Sequence, residues 1–330
     1  MPVGKERAAH IAMLAEEMGR KAAAESLGIT TESVRRAIGV HRNAQGIESF
    51  EAAPEEKHSS LLQKFAERFT DAELRAILNG SVHTNERHKK VHEFDADSIK
   101  VGLLTDTHLG SSFTDTDNLQ EAFDVFSAED VDFVAHCGDV FEGMSGRPGH
   151  IYECTHLGYS AQLDHGRDMF GMWTNTPVYM IDGNHDRWFR KSSGANIVKE
   201  LCDGQDNLHF IGHDEGDIEL RASGLDTPAN VKLWHGEDGS SYAISYRVQK
   251  IVESFTGGEK PHAFFCGHTH KSMYVFDRHV HCISCGSMQK QSNWMRSKKH
   301  ASHTGFWVVE LGVNAKGIAW CSPRWFPFYV

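Results

Sequence analysis

The chain has 330 residues and a mass of 36.9 kDa, with 40% hydrophobic and 24% charged residues. That length exceeds the roughly 250–300 residues one core fills, so a large domain plus a smaller unit is expected, and the balanced composition excludes wholesale disorder. A formal net charge of −11 excludes a surface globally attractive to nucleic acid and leaves only local basic patches open.

No apolar run approaches the roughly 20 residues that span a bilayer, and the N-terminal segment breaks its apolar positions with charge. A soluble, cytoplasmic protein without a signal peptide or a membrane partner is expected; a homo-oligomer is left open. The cysteines are odd in number, and Cys137, Cys266, Cys282 and Cys285 lie in apolar, strand-like runs, which favours reduced thiols. Histidine, at 22 residues, is the compositional anomaly, because imidazole is the commonest metal-ligating side chain.

From Ala8 to Ile38 apolar positions recur three and four apart, as in short helices: Ile11, Leu14, Met18, then Ala23, Ala24, Leu27, then Val34 and Ile38. Gly28 stands where a tight turn needs a positive φ, and Thr30 or Thr31 can cap the next helix. Residues 1–45 carry seven Lys or Arg against five Glu, a local positive excess in an acidic chain. The run from Arg20 to Ile38 resembles the helix-turn-helix of sigma factors and phage regulators, whose second helix enters the major groove. That resemblance implies DNA as a partner, with Ser33, Arg35 and Arg36 facing the groove. A helical hairpin that packs on another protein surface is the alternative.

Residues 46–97 are polar and read as a helical linker. Leu61 to Leu78 is amphipathic, Thr70 and Glu73 have capping-box spacing, and Gly80 marks a helix stop.

From residue 98 onward short apolar runs end in polar residues: IKVGLLTD, DFVAHCGDV, PVYMIDGNHD, VKLWHGED, AFFCGHTH, VHCISCGS and TGFWVVELGV. Helical intervals at Asn118 to Ser127 and Ser245 to Phe255 alternate with the earlier strands, which predicts a layered α/β domain over 98–330 with a second, mixed sheet from the late strands. The C-terminal Trp320, Trp325, Phe326, Phe328 and Tyr329 read as edge-strand packing, and Cys282 with Cys285 as core residues.

Five of these runs end in metal-type ligands: Asp106 and His108, Asp139, Asn184, His235, then His268 and His270. In open α/β sheets the functional crevice lies beyond the carboxyl ends of the strands, so these loops can converge. Two aspartates, one asparagine and four histidines form a mixed N/O set that suits Mn, Fe, Zn or Co better than Ca or Mg. Seven ligands exceed the needs of one ion, and two ions about 3.5–4 Å apart would clamp the oxygens of an in-line displacement at phosphorus.

The order D-x-H, G-D, G-N-H-D, H-G, G-H-T-H resembles the calcineurin-like metallophosphoesterase superfamily from Ile99 to about Val313. The resemblance implies an α-β-β-α sandwich and two divalent metal ions, with Mn the first choice. It places Asp106, His108 and His270 on one metal, Asn184, His235 and His268 on the other, and Asp139 between them. It also implies attack by a metal-bound hydroxide, with His185 assisting the leaving oxygen and Asp186 orienting that imidazole.

The phosphoprotein phosphatase branch continues its second motif as Asp-Arg-Gly, whereas here the chain reads Gly138-Asp139-Val140-Phe141-Glu142-Gly143. The text looks closer to the branch of repair nucleases and other phosphodiesterases, and Arg147 and Arg187 are the remaining candidates for charge on the substrate. A DNA-directed nuclease, of a kind a phage would encode, is the leading expectation. A phosphomonoesterase with a protein-docking N-terminus and a DNA-binding regulator with a non-catalytic metal domain are the alternatives. The basic and aromatic stretch from Gln289 to His300 either flanks the cleft, with Trp294 stacking on a base, or is a solvated loop.

Overall fold

A computed structural model describes residues 5–44, 89–236 and 243–328. The chain divides into two compact units, Met1–Ser81 and Val82–Val330.

In the first unit, α1 (Lys5–Met18), α2 (Arg20–Leu27) and α3 (Thr31–Ala44) enclose Ala8, Ile11, Ala15, Ala23, Ala24, Val34 and Ala37. The abundance of alanine here lets the helices approach closely. Gly28 ends α2 with φ 59°, and the Thr30 hydroxyl accepts from the Ser33 amide at 3.2 Å to cap α3. The linker features at Leu61 to Leu78, Thr70, Glu73 and Gly80 lie outside the described residues.

The second unit is built on two six-stranded sheets. One runs β12-β11-β2-β3-β4-β5 and the other β1-β6-β7-β8-β10-β9. The strands are β1 (Lys89–Phe94), β2 (Ser98–Leu104), β3 (Phe133–His136), β4 (Val178–Asp182), β5 (Leu208–His213), β6 (Glu215–Ala222), β7 (Ala229–Trp234), β8 (Ala263–Cys266), β9 (Ser272–Asp277), β10 (Val280–Cys285), β11 (Gly305–Asn314) and β12 (Gly317–Pro327).

Period-two alternation decides which layer each residue enters. Leu103, Phe133, Ala135, Tyr179 and Ile181 face Val231, Leu233, Phe265 and Ile283 in the core between the sheets. Their neighbours Leu104, Val134, Val178 and Met180 face outward and are covered by α4 (Thr116–Ala128), α5 (Gly158–Gly171) and α7 (Ile197–Asp203). On the opposite side Phe264, Val280 and Cys282 meet Val248 and Val252 of α8 (Tyr246–Ser254). The predicted α-β-β-α arrangement is the observed one. No helix among the described residues is long and apolar enough to cross a membrane.

Lys89–Phe94, read above as the end of the polar linker, instead forms β1, parallel to β6 at the sheet edge. The segment KKVHEF has too few apolar residues to announce a strand, and its burial alternates between exposed and half-buried. At an edge of the other sheet β12 carries Trp325 against Trp307 at 5.2 Å and Phe326 stacked on Phe306 at 5.0 Å. Cys282 and Cys285 are buried in β10, and all seven cysteines are free thiols.

Strands β2, β3, β4 and β5 run parallel, as do β7, β8 and β10. The carboxyl ends of β2, β3, β4, β7 and β8 therefore deliver five loops to one edge of the sandwich.

Candidate metal centre

These five loops meet. Asp106, His108 and His270 each place a ligand atom within 4.8 Å of the others, and so do Asp139, His235 and His268. His108 Nε2 lies 3.3 Å from His270 Nε2, and Asp106 Oδ1 lies 3.1 Å from His270 Nε2 and 3.8 Å from His108 Nε2. Asp139 Oδ2 sits between the groups, 3.1 Å from His235 Nε2 and 3.8 Å from His108 Nε2. Asn184 Oδ1 completes the second group, 2.8 Å from His268 Nδ1 and 3.3 Å from His235 Nε2.

The backbone of this region is unusual. Asp106 (φ 51°), His108 (φ 44°), Asp139 (φ 50°), His268 (φ 72°) and His270 (φ 52°) all occupy the left-handed region, which non-glycine residues rarely adopt. Each such residue costs on the order of 1–3 kcal/mol and persists only where its surroundings over-determine it, a pattern that clusters at functional sites.

Supporting bonds orient the ligand atoms. His235 Nδ1 donates to the Cys137 carbonyl at 2.6 Å, which leaves Nε2 for the cluster. The second carboxylate oxygen of Asp106 accepts from Thr105 Oγ1 at 2.6 Å and from the His268 amide at 3.0 Å. The remaining atom, Asp106 Oδ1, is buried without a hydrogen-bond partner. Buried carboxylates and imidazole nitrogens that converge without donors are an arrangement a divalent cation resolves, so the residues present fit a metal centre.

Charge tells the same story. Burial opposes ionisation of Asp106, but His270 and His235 hold its carboxyl well below the usual range. Burial likewise opposes Asp139, and His235 and His185 outweigh it. His235 is disfavoured as a cation by burial yet pushed up to about 9 by Asp139 and Asp106. The carboxylates thus demand positive charge, which ligand protons or metal ions can supply.

His185 lies beside this cluster, its ring 4.5 Å from that of His108 and its side chain 23% exposed. Its Nδ1 donates to the Glu142 carbonyl at 2.8 Å, so Nε2 is the nitrogen left for a substrate. Burial, against the pull of Asp139, lowers its pKa to about 4.

Asp186 does not orient that imidazole. Its carboxylate accepts from the amides of Val140 at 3.1 Å, Phe141 at 2.8 Å and Gly183 at 2.9 Å, and so clamps the loop after β3 to the loop after β4. Residue 186 opens α6 (Asp186–Ser193), and the helix start turns its side chain back towards those amides. Burial and the charge of Asp139 raise its pKa to about 8.

Residues 99–272, just over half of the chain, match the calcineurin-like phosphoesterase family. The chain belongs to this family. Among curated relatives of this chain, the DNA polymerase II small subunit of Methanothermobacter thermautotrophicus is 22% identical over 249 residues, covering 63% of the chain. The match covers 51% of that relative, so the chain spans about half of its length. Solved structures similar to it include a novel archaeal phosphodiesterase at 17% identity and TM-score 0.39, covering 69% of this chain and 100% of that one. Others are YfcE, a phosphoesterase from E. coli, at 14% identity and TM-score 0.38 (68% and 98% covered), and zinc-bound Vps29 from Entamoeba histolytica at 12% and 0.35 (70% and 99%).

Sequence reasoning gave no role to the Glu142 side chain. Its carboxylate is buried, with Oε2 3.0 Å from His108 Nδ1 and Oε1 2.8 Å from His150 Nε2, and Gln289 Nε2 donates to Oε2 at 3.0 Å. A charged residue inside the apolar run DFVAHCGDVF-Glu142 was the available signal, since a buried carboxylate requires partners. Of the expected substrate-binding arginines, Arg187 is paired with Asp214, while Arg147, paired with Glu153, lines the cleft. Ser33, Arg35 and Arg36 are exposed on α3 of the first unit, with Arg35 3.3 Å from Glu32.

Proposed function

We propose that this protein is a dinuclear metal-dependent phosphodiesterase that acts on DNA. The observation that carries the reading is the convergence of seven N/O ligands from five strand ends around the shared Asp139 carboxylate. Asp106, His108 and His270 would hold one divalent ion and Asn184, His235 and His268 the other. When bound, such ions supply Lewis-acid charge to phosphoryl oxygens and acidify water. Manganese is the preferred pair, with Fe, Zn and Co compatible with the same donors.

The chain's own contribution is positioning and proton handling. Glu142 fixes His108 from behind through its carboxylate and His185 through its carbonyl, which turns His185 Nε2 towards the cleft, where it would assist the leaving oxygen only once the ring has taken up a second proton. Asp186 holds the loops that carry Asp139 and Asn184 in register. Glu142, a lining residue of the cleft whose carboxylate is engaged by His108, His150 and Gln289, takes the region where the phosphatase branch has its phosphate-gripping arginine. That favours a diester, which carries less charge than a monoester.

Two features support DNA as the substrate. The helix-turn-helix resemblance of residues 1–45 gives a candidate DNA-binding module, with Ser33, Arg35 and Arg36 on its exposed face. The curated relative is named as a subunit of a DNA polymerase. The test is a Mn-loaded panel of single- and double-stranded oligonucleotides, bis-p-nitrophenyl phosphate and p-nitrophenyl phosphate. Cleavage of the oligonucleotides and the diester supports the reading; turnover of the monoester alone overturns it in favour of a phosphomonoesterase.

A further inference from the structure

The cleft above the ligand cluster is larger than a phosphate requires. It encloses about 450 Å³, and its lining takes in His108, Asp139 and His270 together with a wall that includes Trp294 and Met295. Trp294 is 46% exposed, with its ring 5.5 Å from that of His300, while the next residue, Met295, is 6% exposed and anchors their helix α9 (Asn293–Lys298).

The helix that carries that indole is bonded through its flanking residues. Ser292 Oγ caps α9 by accepting from the Met295 amide at 3.3 Å, Gln291 Nε2 donates to the His300 carbonyl at 2.6 Å, and Ser302 Oγ donates to the Gln289 carbonyl at 2.6 Å. Gln289 then reaches Glu142 at 3.0 Å, the carboxylate that holds His108. The segment that carries the indole's helix is therefore bonded to Glu142, whose carboxylate lies 3.0 Å from His108 Nδ1 of the ligand cluster.

We infer that this wall is a nucleobase subsite, with the base of the nucleoside next to the scissile phosphate lying on the Trp294 indole. The inference rests on the phosphodiesterase reading and names its substrate class, a nucleoside phosphodiester whose base is free of a duplex stack. Two parts of the cleft match two parts of that ligand: the floor of candidate ligands its reacting phosphate, and the indole its base. A phosphoserine side chain has no flat ring for the second part.

The test compares thymidine 5′-(p-nitrophenyl phosphate) with methyl p-nitrophenyl phosphate, two diesters with one leaving group, on the Mn-loaded full chain. The wild type prefers the nucleoside ester through a lower KM. Trp294→Ala cuts that preference about 5- to 150-fold, the range for loss of one base–aromatic stack, and Trp294→Phe restores most of it. No preference in the wild type, or a preference unaltered in Trp294→Ala, overturns the subsite. Hydrolysis of neither diester would overturn the phosphodiesterase reading instead. Binding then decides the subsite: tryptophan fluorescence quenched by thymidine 5′-monophosphate but not by deoxyribose 5-phosphate, and lost in Trp294→Ala, upholds it, whereas equal affinity for the two ligands overturns it.

Discussion

Glu142 Oε2 lies 3.0 Å from His108 Nδ1, and the same carboxylate is held by His150 and Gln289. Burial disfavours its ionisation, yet its bonds to His108 and His150 keep it ionised far below the usual carboxylate range. Such a partner fixes the ring's tautomer and turns Nε2 towards the cluster. Glu142→Gln keeps the shape and removes the charge. It is expected to weaken Mn binding about 10- to 100-fold, read by calorimetric titration of the full chain. Unchanged affinity would remove Glu142 from the site's machinery.

Metal dependence follows from the ligand set. A chelator should abolish phosphoester hydrolysis and Mn should restore it. Metal at about 100 times its Kd should stabilise the second unit by about 2.7 kcal/mol, seen as a rise in Tm. In Asp139→Asn, which removes the carboxylate between the two groups, that rise should shrink and activity should fall at least about 10-fold.

Gly267 precedes His268 because no side chain fits there. A Cβ would stand 2.1 Å from Thr105 Oγ1 and 2.7 Å from both the Cys137 carbonyl oxygen and His235 Nδ1. Gly267→Ala should destabilise the unit by about 1–3 kcal/mol in denaturant titration, as overpacking does, and should weaken metal binding by displacing Thr105 from Asp106. Full stability in this variant would show that the loop yields.

His136 gives a pH signature. Its ring is fully buried, lies 3.0 Å from Thr107 Oγ1, and is lowered by burial from 6.5 to about 3. The unfolded chain therefore binds a proton that the folded chain refuses between pH 6.5 and about 3, so stability falls as pH falls through that window. The group costs nothing above pH 6.5 and removes about 1.4 kcal/mol of stability per pH unit below it, down to about pH 3. Denaturant titrations at pH 7.5 and pH 5.5 on wild type and His136→Gln should show a shallower slope in the variant; equal slopes would contradict the assignment.

Arg35 and Arg36 lie on the exposed face of α3. If that face meets phosphates, each contact contributes about 0.9 to the slope of log K against log salt. A double change to alanine should lower the affinity of the full chain for duplex DNA and flatten that slope by nearly 2. A slope that stays the same would move the contact to another surface.

Most of the layered domain was legible because its strands are continuous apolar runs that stop abruptly at Asp, Asn or His. The strand β1 was not, since an edge strand with one half-solvated face needs few apolar residues, and KKVHEF has two. The ligand types could be read from the text, but their left-handed backbone could not, because that conformation is imposed by the packing of three loops on one another. Asp186 shows the same limit: position beside His185 suggested a partner, whereas the start of α6 points its carboxylate at three backbone amides. Glu142 was visible as a departure from a motif, but its use became clear only once His108, His150 and Gln289, up to 147 positions apart from it, were brought together.

The left-handed conformations at Asp106, His108, Asp139, His268 and His270 bear on how such a centre can be transplanted. Seven side chains copied onto another α/β frame would keep ordinary loops, whose backbones aim the same residues elsewhere. The portable unit is the loop with its bracing, Thr105, Gly267, Glu142 and Asp186 included, and a graft that omits these should bind metal poorly even with every ligand present.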